Sequence, residues 1–286
     1  EKQLQDQSGG LTLDATGAEN HTTILSISPS PLQRGLIWVS TDDGNVQVTE
    51  DDGSTWRNVG DRIPNVPRGT WAPHVEPSAH DVRTAYVVLE DHRRGNWLPY
   101  VYKTDNLGDS WNTLSNNGID GFVHVIREDM VEPDLLFLGT EFGLRVSVDG
   151  GNSWMHWTHG VPPAPVRDLR IHPRDHDLVL GTHGRGAFVV DDIRPLREFA
   201  RDPGLVKEAL RVLPMAPAQK YETAEAIGYR SVGHAMMFGE NRPYGALINY
   251  WVGRESDGDA QIEILDSGGE SVRSFTGTTE IGVNRV

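Results

Sequence analysis

Short apolar runs flanked by polar residues recur along the first two thirds of the chain. One set comprises Leu36-Ile-Trp-Val39, Ala85-Tyr-Val-Val-Leu89, Leu135-Leu-Phe-Leu138 and Leu178-Val-Leu180. Ahead of each lies a second run: Ile24-Leu-Ser-Ile27, His74-Val-Glu76, Val123-His-Val-Ile126 and Val166-Arg-Asp-Leu-Arg-Ile171. Runs this short, bounded by turn residues, predict strands. The connector between the paired runs always holds proline: Ser28-Pro-Ser-Pro31, Glu76-Pro-Ser78, Glu132-Pro-Asp134 and His172-Pro-Arg174. Proline cannot donate to a ladder, so it belongs at such turns.

A sharper motif follows the first three pairs. Thr49-Glu-Asp-Asp-Gly-Ser-Thr-Trp56, Thr104-Asp-Asn-Leu-Gly-Asp-Ser-Trp111 and Ser147-Val-Asp-Gly-Gly-Asn-Ser-Trp154 share one pattern. A hydroxyl residue opens it, an acid or amide follows, then glycine, a second hydroxyl and tryptophan. The side chains of Asp51, Asn106 and Asp149 are expected to accept backbone N–H groups across a tight turn. Gly53, Gly108 and Gly151 supply positive φ there. Trp56, Trp111 and Trp154 are expected to fold back as apolar plugs between strands. The unit is thus four short antiparallel strands in about 40–50 residues, the size of a β-propeller blade. Four copies span residues 22 to about 193, and the fourth runs from Gly186-Ala-Phe-Val-Val190 into Asp191-Asp192 without a tryptophan turn.

These motifs resemble the BNR or Asp-box repeat of sialidases, xyloglucanases and the sortilin luminal domain. Leu11–Asn20, Trp38–Val46, His124–Asp129, Leu138–Gly143, Gly181–Gly186 and Gly239–Ala246 extend the resemblance. They are similar to a bacterial group of long secreted proteins described as sortilin-like, or as BNR-repeat and glycosyl-hydrolase-like. The resemblance implies blades of a larger propeller, in a protein that is secreted, periplasmic or on the bacterial surface. It implies no particular reaction, because enzymes and binding proteins share the Asp-box.

Beyond the repeats the pattern changes. Pro203–Val212 reads as a short helix, with proline in its first turn. Strand alternation returns at Ala246–Val252, Ala260–Leu265, Ser271–Phe275 and Val283–Val286, with a hairpin signal at Asp266-Ser-Gly-Gly269. The expected architecture is all-β, with propeller blades of a partial ring over 1–193. A linker with a short helix follows over 194–242, and an incomplete immunoglobulin- or fibronectin-like β-sandwich begins over 243–286. The chain opens on Glu1 and closes within a strand-like run, so it reads as a piece of a longer polypeptide.

Composition narrows the chemistry. A formal net charge of −15, with no basic stripe, argues against nucleic acid as a partner. The absence of cysteine excludes disulfides, thiolate metal sites and cysteine nucleophiles. No run of 18 or more apolar residues is present to span a membrane. No cofactor-binding loop or metal-ligand spacing stands out. Asp-rich turns such as Glu50-Asp51-Asp52 leave Ca²⁺ as a possible ligand, without EF-hand spacing.

In an up-and-down blade the glycine hairpins (second to third strand) share a face with the loops between blades. That face would gather Asp42, Asp43, Glu90, Asp91, Glu141, His183 and Arg185. Asp42 or Asp43 with Glu141 is the candidate catalytic pair for glycoside hydrolysis. Glu90, Asp91, His183 and Arg185 are candidate ligand contacts. The competing reading gives these side chains local work, capping turns and pairing with neighbours. The expected ligand is a carbohydrate or a peptide, with partner subunits in a larger assembly as a further role.

Overall fold

A computed structural model describes residues 22–115, 118–218, 220, 243–255 and 258–286. The described residues fall into two compact units, Glu1–Arg201 and Asp202–Val286.

The first unit is built of four antiparallel sheets in chain order. Sheet one holds β1 (Ile24–Pro29), β2 (Ile37–Thr41), β3 (Val46–Thr49) and β4 (Arg57–Asn58). Sheet two holds β5 (Trp71–Pro77), β6 (Ala85–Asp91), β7 (Asn96–Thr104) and β8 (Asn112–Thr113). Sheet three holds β9 (Val123–Glu128), β10 (Leu136–Thr140), β11 (Gly143–Ser147) and β12 (Met155–Trp157). Sheet four has three strands, β13 (Val166–Ile171), β14 (Leu178–Thr182) and β15 (Ala187–Val190).

The central strands of sheets two and three are buried along both faces, so those sheets pack on two sides. Trp38, Val48, Val87, Leu89, Tyr102 and Trp111 make one core between sheets one and two. Tyr86, Val88, Val101, Ile126, Leu138 and Trp154 make the next, between sheets two and three. Phe137, Leu144, Val146, Leu169 and Leu180 make the third, between sheets three and four. The close backbone approaches between sheets are made chiefly by the first two strands of each: β5 meets β1 and β2, β9 meets β5 and β6, and β13 meets β9 and β10. The outer strands stand apart. The sheets therefore fan out from the side of β1, β5, β9 and β13, which is the arrangement of propeller blades. A concave space of about 720 Å³ lies along those inner strands, lined in part by Ile27, His74, Glu76, Arg127, Arg167 and Arg170. Gly139 permits a close approach between sheets three and four: a Cβ on it would sit 2.4 Å from the Val166 carbonyl oxygen.

The three acid–glycine–tryptophan turns link third to fourth strands and share one hydrogen-bond pattern. Thr49 Oγ1 accepts from Gly53 N at 3.0 Å, and Asp51 Oδ1 accepts from Thr55 N at 2.8 Å. Ser147 and Asp149 repeat both bonds to Gly151 and Ser153, each at 2.9 Å. Thr104 and Asn106 repeat them to Gly108 and Ser110, and there the amide nitrogen of Asn106 also donates to the Ser110 hydroxyl. The backbone and hydroxyl of Thr55, with the Thr49 hydroxyl, hold the Asp51 carboxyl below its ordinary range. Gly108 has φ of +82°, and a Cβ on it would meet Val59 of sheet one at 2.8 Å.

The tryptophans do not all plug. Trp111 and Trp154 are each 5% exposed, whereas Trp56 is 43% exposed. The plug acts between sheets and not within one. Trp111 meets Trp38 of sheet one edge to face, with centroids 6.1 Å apart. Trp154 donates its indole N–H to the Leu114 carbonyl, beside β8 of sheet two, at 3.1 Å. Trp56 belongs to the first sheet, and its indole N–H returns to its own Gly53 carbonyl.

The helix lies earlier than the periodicity of 203–212 predicts. The α-helix is α1 (Arg194–Arg201), with Pro195 in its first turn and no β-branched residue. Pro203–Lys207 is a 3₁₀ turn, capped by Asp202 accepting from Gly204 N. Leu210–Val212, expected at the helix end, is instead the strand β16. In the second unit β16 pairs with β17 (Asn249–Val252), and β17 with β20 (Gly282–Arg285). β18 (Ala260–Leu265) and β19 (Ser271–Gly277) form a separate hairpin. The residues linking β16 to β17 over 221–242, like Leu11–Asn20 and the start of the stretch at Gly239, lie outside the described residues.

Candidate functional site

The glycine hairpins and the loops between sheets meet on one side of the first unit. Asp42 N donates to Thr23 O just before β1, Glu141 N to Phe122 O before β9, and His183 N to Pro165 O before β13. Each hairpin is thereby tied to the loop that enters its own sheet.

The sequence candidates separate once placed. Asp42 Oδ1 accepts from the backbone N–H of Thr22 and of Thr23, both at 2.8 Å. Asp43 accepts from the Thr41 hydroxyl. Both carboxylates are buried on sheet one, with sheet two standing between them and Glu141 of sheet three. Asp91 is buried and takes the Arg94 guanidinium and the Asn96 amide. His183 and Arg185 are exposed in the β14–β15 turn. Among the described residues no three His, Asp or Glu side chains converge as a metal site.

Glu90 and Glu141 do come together, through a residue the sequence reading passed over. His124, the second residue of β9, is 4% exposed. Its Nε2 lies 3.0 Å from Glu141 Oε2, and its Nδ1 lies 3.2 Å from Glu90 Oε2. Arg167 of β13 places Nη1 3.1 Å from the same Nδ1. One ring nitrogen either donates or accepts. A neutral imidazole donates to Glu141 and accepts from Arg167, whereas an imidazolium donates to both carboxylates. Glu90 Oε1 takes Arg93 Nη1 at 2.8 Å. Arg93 in turn places its guanidinium carbon over the Trp71 ring, 3.4 Å from the centroid.

Burial pushes the Glu90 carboxyl up, but hydrogen bonds from His124 and Arg93 outweigh it and hold the group below its ordinary range. Burial, opposed by Glu90 and reinforced by Arg93, keeps His92 below the usual imidazole value. A carboxyl depressed in the folded state contributes stability that is complete above its unfolded value and is lost as pH falls through the folded one. The urea midpoint of the wild type is therefore expected to fall more than that of Glu90→Gln between about pH 5 and about pH 3. Equal losses in the two proteins would contradict this account of Glu90.

An aromatic rim surrounds the cluster. Phe122 is buried, stacks on His92 at 4.4 Å and meets His124 edge to face at 4.9 Å. Trp97 leans on Phe122 at 5.3 Å yet is 53% exposed. Phe142, beside Glu141, is 44% exposed and crosses Gly121, where a Cβ would strike its ring at 2.8 Å. Phe142 thus stands open next to Glu141, and Trp97 stands open against Phe122. Large exposed apolar surface rimmed by polar groups marks an interaction site.

No protein-family profile matches the chain, and no curated protein does. Solved structures similar to it include YCF48 bound to D1 peptide (18% identity, TM-score 0.45, 60% of this chain and 52% of that one). A GH74 xyloglucanase from Xanthomonas campestris is similar over 56% of this chain and 26% of its own (20% identity, TM-score 0.44). An ancestral GH74 enzyme is similar over 90% of this chain and 33% of its own (12% identity, TM-score 0.41). The chain thus spans about half of the first structure and a third or less of the others.

Proposed function

We propose that the chain is an extracellular binding module of the sortilin-like, Asp-box propeller type, and that it holds a polysaccharide chain on the hairpin face. The observation that carries this reading is the pair of exposed rings, Trp97 and Phe142, flanking the Glu90–His124–Glu141 bridge. Flat aromatic faces pack against the C–H faces of sugar rings, while Glu141 and Arg167 offer an acceptor and donors to hydroxyls. Rigid aromatic side chains give much contact area at low entropic cost. The second unit, read as an immunoglobulin- or fibronectin-like sandwich, would dock partner subunits in a larger assembly.

Glycoside hydrolysis is the second reading, and the site argues against it. Of the catalytic candidates, Glu141 is bridged through Oε2 to His124 at 3.0 Å. Asp42 and Asp43 are committed to sheet one.

Affinity electrophoresis in gels carrying soluble polysaccharides tests the reading. The wild type is expected to be retarded by at least one of them, and Trp97→Ala to bind about 10-fold more weakly or worse. Free migration of the wild type through the whole panel would sink the proposal. Hydrolysis of a retarding polysaccharide that disappears in Glu141→Gln would replace it with the catalytic reading.

A further inference from the structure

The groove along β1, β5, β9 and β13 offers donors that its acceptors do not use. Its wall is the side on which the sheets converge, the side that faces the central channel in a propeller. Pro29, Pro77 and Met130 border it, so it reaches the proline-turn ends of the inner strands, away from the glycine hairpins. Its volume of about 720 Å³ suits a small organic molecule.

The acids along the groove are committed. Glu128 accepts from the Ser78 and Tyr86 hydroxyls and from Ala79 N, at 2.7 to 3.0 Å. Glu76 Oε1 takes Arg127 Nη1, and its Oε2 lies 3.4 Å from His74 Nε2. Asp168 Oδ1 accepts from Leu169 N at 2.9 Å. The arginines are less engaged. Arg127 commits Nη1 to Glu76 and Nε to the Leu169 carbonyl, at 3.1 Å, but its Nη2 is buried with no hydrogen-bond partner. A guanidinium keeps its proton, so a buried donor left unmade is a standing cost. Arg170 stands open, and its pair with Asp168, at 3.7 Å between two exposed side chains, is weak. Ser26 and Ser28 of β1 add two hydroxyls to the lining.

We propose that this groove binds an acidic small molecule, held through carboxylate or phosphate groups by Arg127 and Arg170. Such groups bring acceptors, which is what the unused donors require. Both also present the paired oxygens that a guanidinium fork matches. The chain carries a net charge of −15, so basic groups gathered on one wall run against its overall field. They select an anion by local contact and not by long-range attraction. The site stands apart from the polysaccharide face. Neither Trp97 nor Phe142 lines the groove, and Arg167, at its hairpin end, already meets His124.

Calorimetric titration of the 286-residue chain with citrate and with pyrophosphate tests the site, at an ionic strength held constant with sodium chloride. The wild type is expected to bind at least one of them with a dissociation constant of about 1 mM or tighter. The tighter of the two tells whether the site takes carboxylate or phosphate. Arg170→Gln is expected to weaken that binding about 10-fold. Arg174→Gln, on an exposed turn outside the groove, is expected to leave it unchanged. No saturable heat from either anion up to about 10 mM with the wild type overturns the proposal, and that measurement needs no variant to fold. Wild-type affinity in Arg170→Gln, or an equal loss in Arg174→Gln, overturns it as well. Gel retardation by a polysaccharide reads Trp97, whereas this titration reads Arg170, so either reading can fail alone.

Discussion

Replacing Arg197 with methionine is expected to lower the free energy of unfolding by about 3–5 kcal/mol, read from urea midpoints at pH 7. Arg197 of α1 reaches back to sheet three and clasps Asp129 with two bonds, at 2.8 Å and 2.7 Å. Asp129 is fully buried and Arg197 nearly so. The same carboxylate accepts from the backbone N–H of Val131 and Glu132, at 3.0 Å and 2.8 Å, and so shapes the proline turn between β9 and β10. The turn bonds would remain in the variant, but a buried charge would lose its counter-ion, and that is the costly event. Arg201 adds a partly exposed pair with Glu132 at 2.9 Å, whose loss costs little. Arg201→Met is therefore the control, expected within about 1 kcal/mol of wild type. A midpoint for Arg197→Met as close to wild type as that of Arg201→Met would show that the clasp does not hold α1 in place. The prediction bears on the fold because α1 follows the sheet that, among the described residues, has three strands where the others have four. Ile193, Leu196 and Ala200 join the core of sheets three and four, so the helix covers apolar surface there.

Much of this fold is legible in the chain because its signals are local. Strand alternation, proline turns and the acid–glycine–tryptophan motif act within a few residues, and the four-strand period follows from them. Leu210–Val212 misleads for the same reason. Its leucine and valine fit a helical spacing after Pro203, but Leu210 and Val212 also alternate, and pairing with β17 decides the matter. Trp56 misleads differently. Its turn chemistry is legible, whereas burial depends on a facing sheet that no local pattern reports.

The candidate site was legible only in part. Glu90 and Glu141 were marked by their hairpins. His124 lies in an apolar strand run and gives no signal of its own. Its partners stand 34, 17 and 43 residues away, brought together only when the sheets fan out. Trp97 offered a weak clue, a large aromatic just after a glycine hairpin, where a buried ring has no strand to cover it. Long-range assembly of charges is what a local reading misses, and it is also what gives the site its geometry.

The same argument about facing sheets yields the second large effect. Trp111→Ala is expected to cost about 3–5 kcal/mol, the range for truncating a buried aromatic, whereas Trp56→Ala should cost less than about 1 kcal/mol. The two turns share their hydroxyl and Asp or Asn bonds, and only Trp56 also ties its indole N–H to its own turn, so a larger loss at Trp111 reports burial between sheets. Trp111 lies against Trp38 in the core of sheets one and two, and its removal opens a cavity that the stiff strands cannot refill. Trp56 leaves solvent behind it. Urea titrations of the wild type and the two variants at pH 7 read the difference. Equal destabilisation of the two variants would mean that these tryptophans stabilise their own turns. The plug between neighbouring sheets would then have to be abandoned.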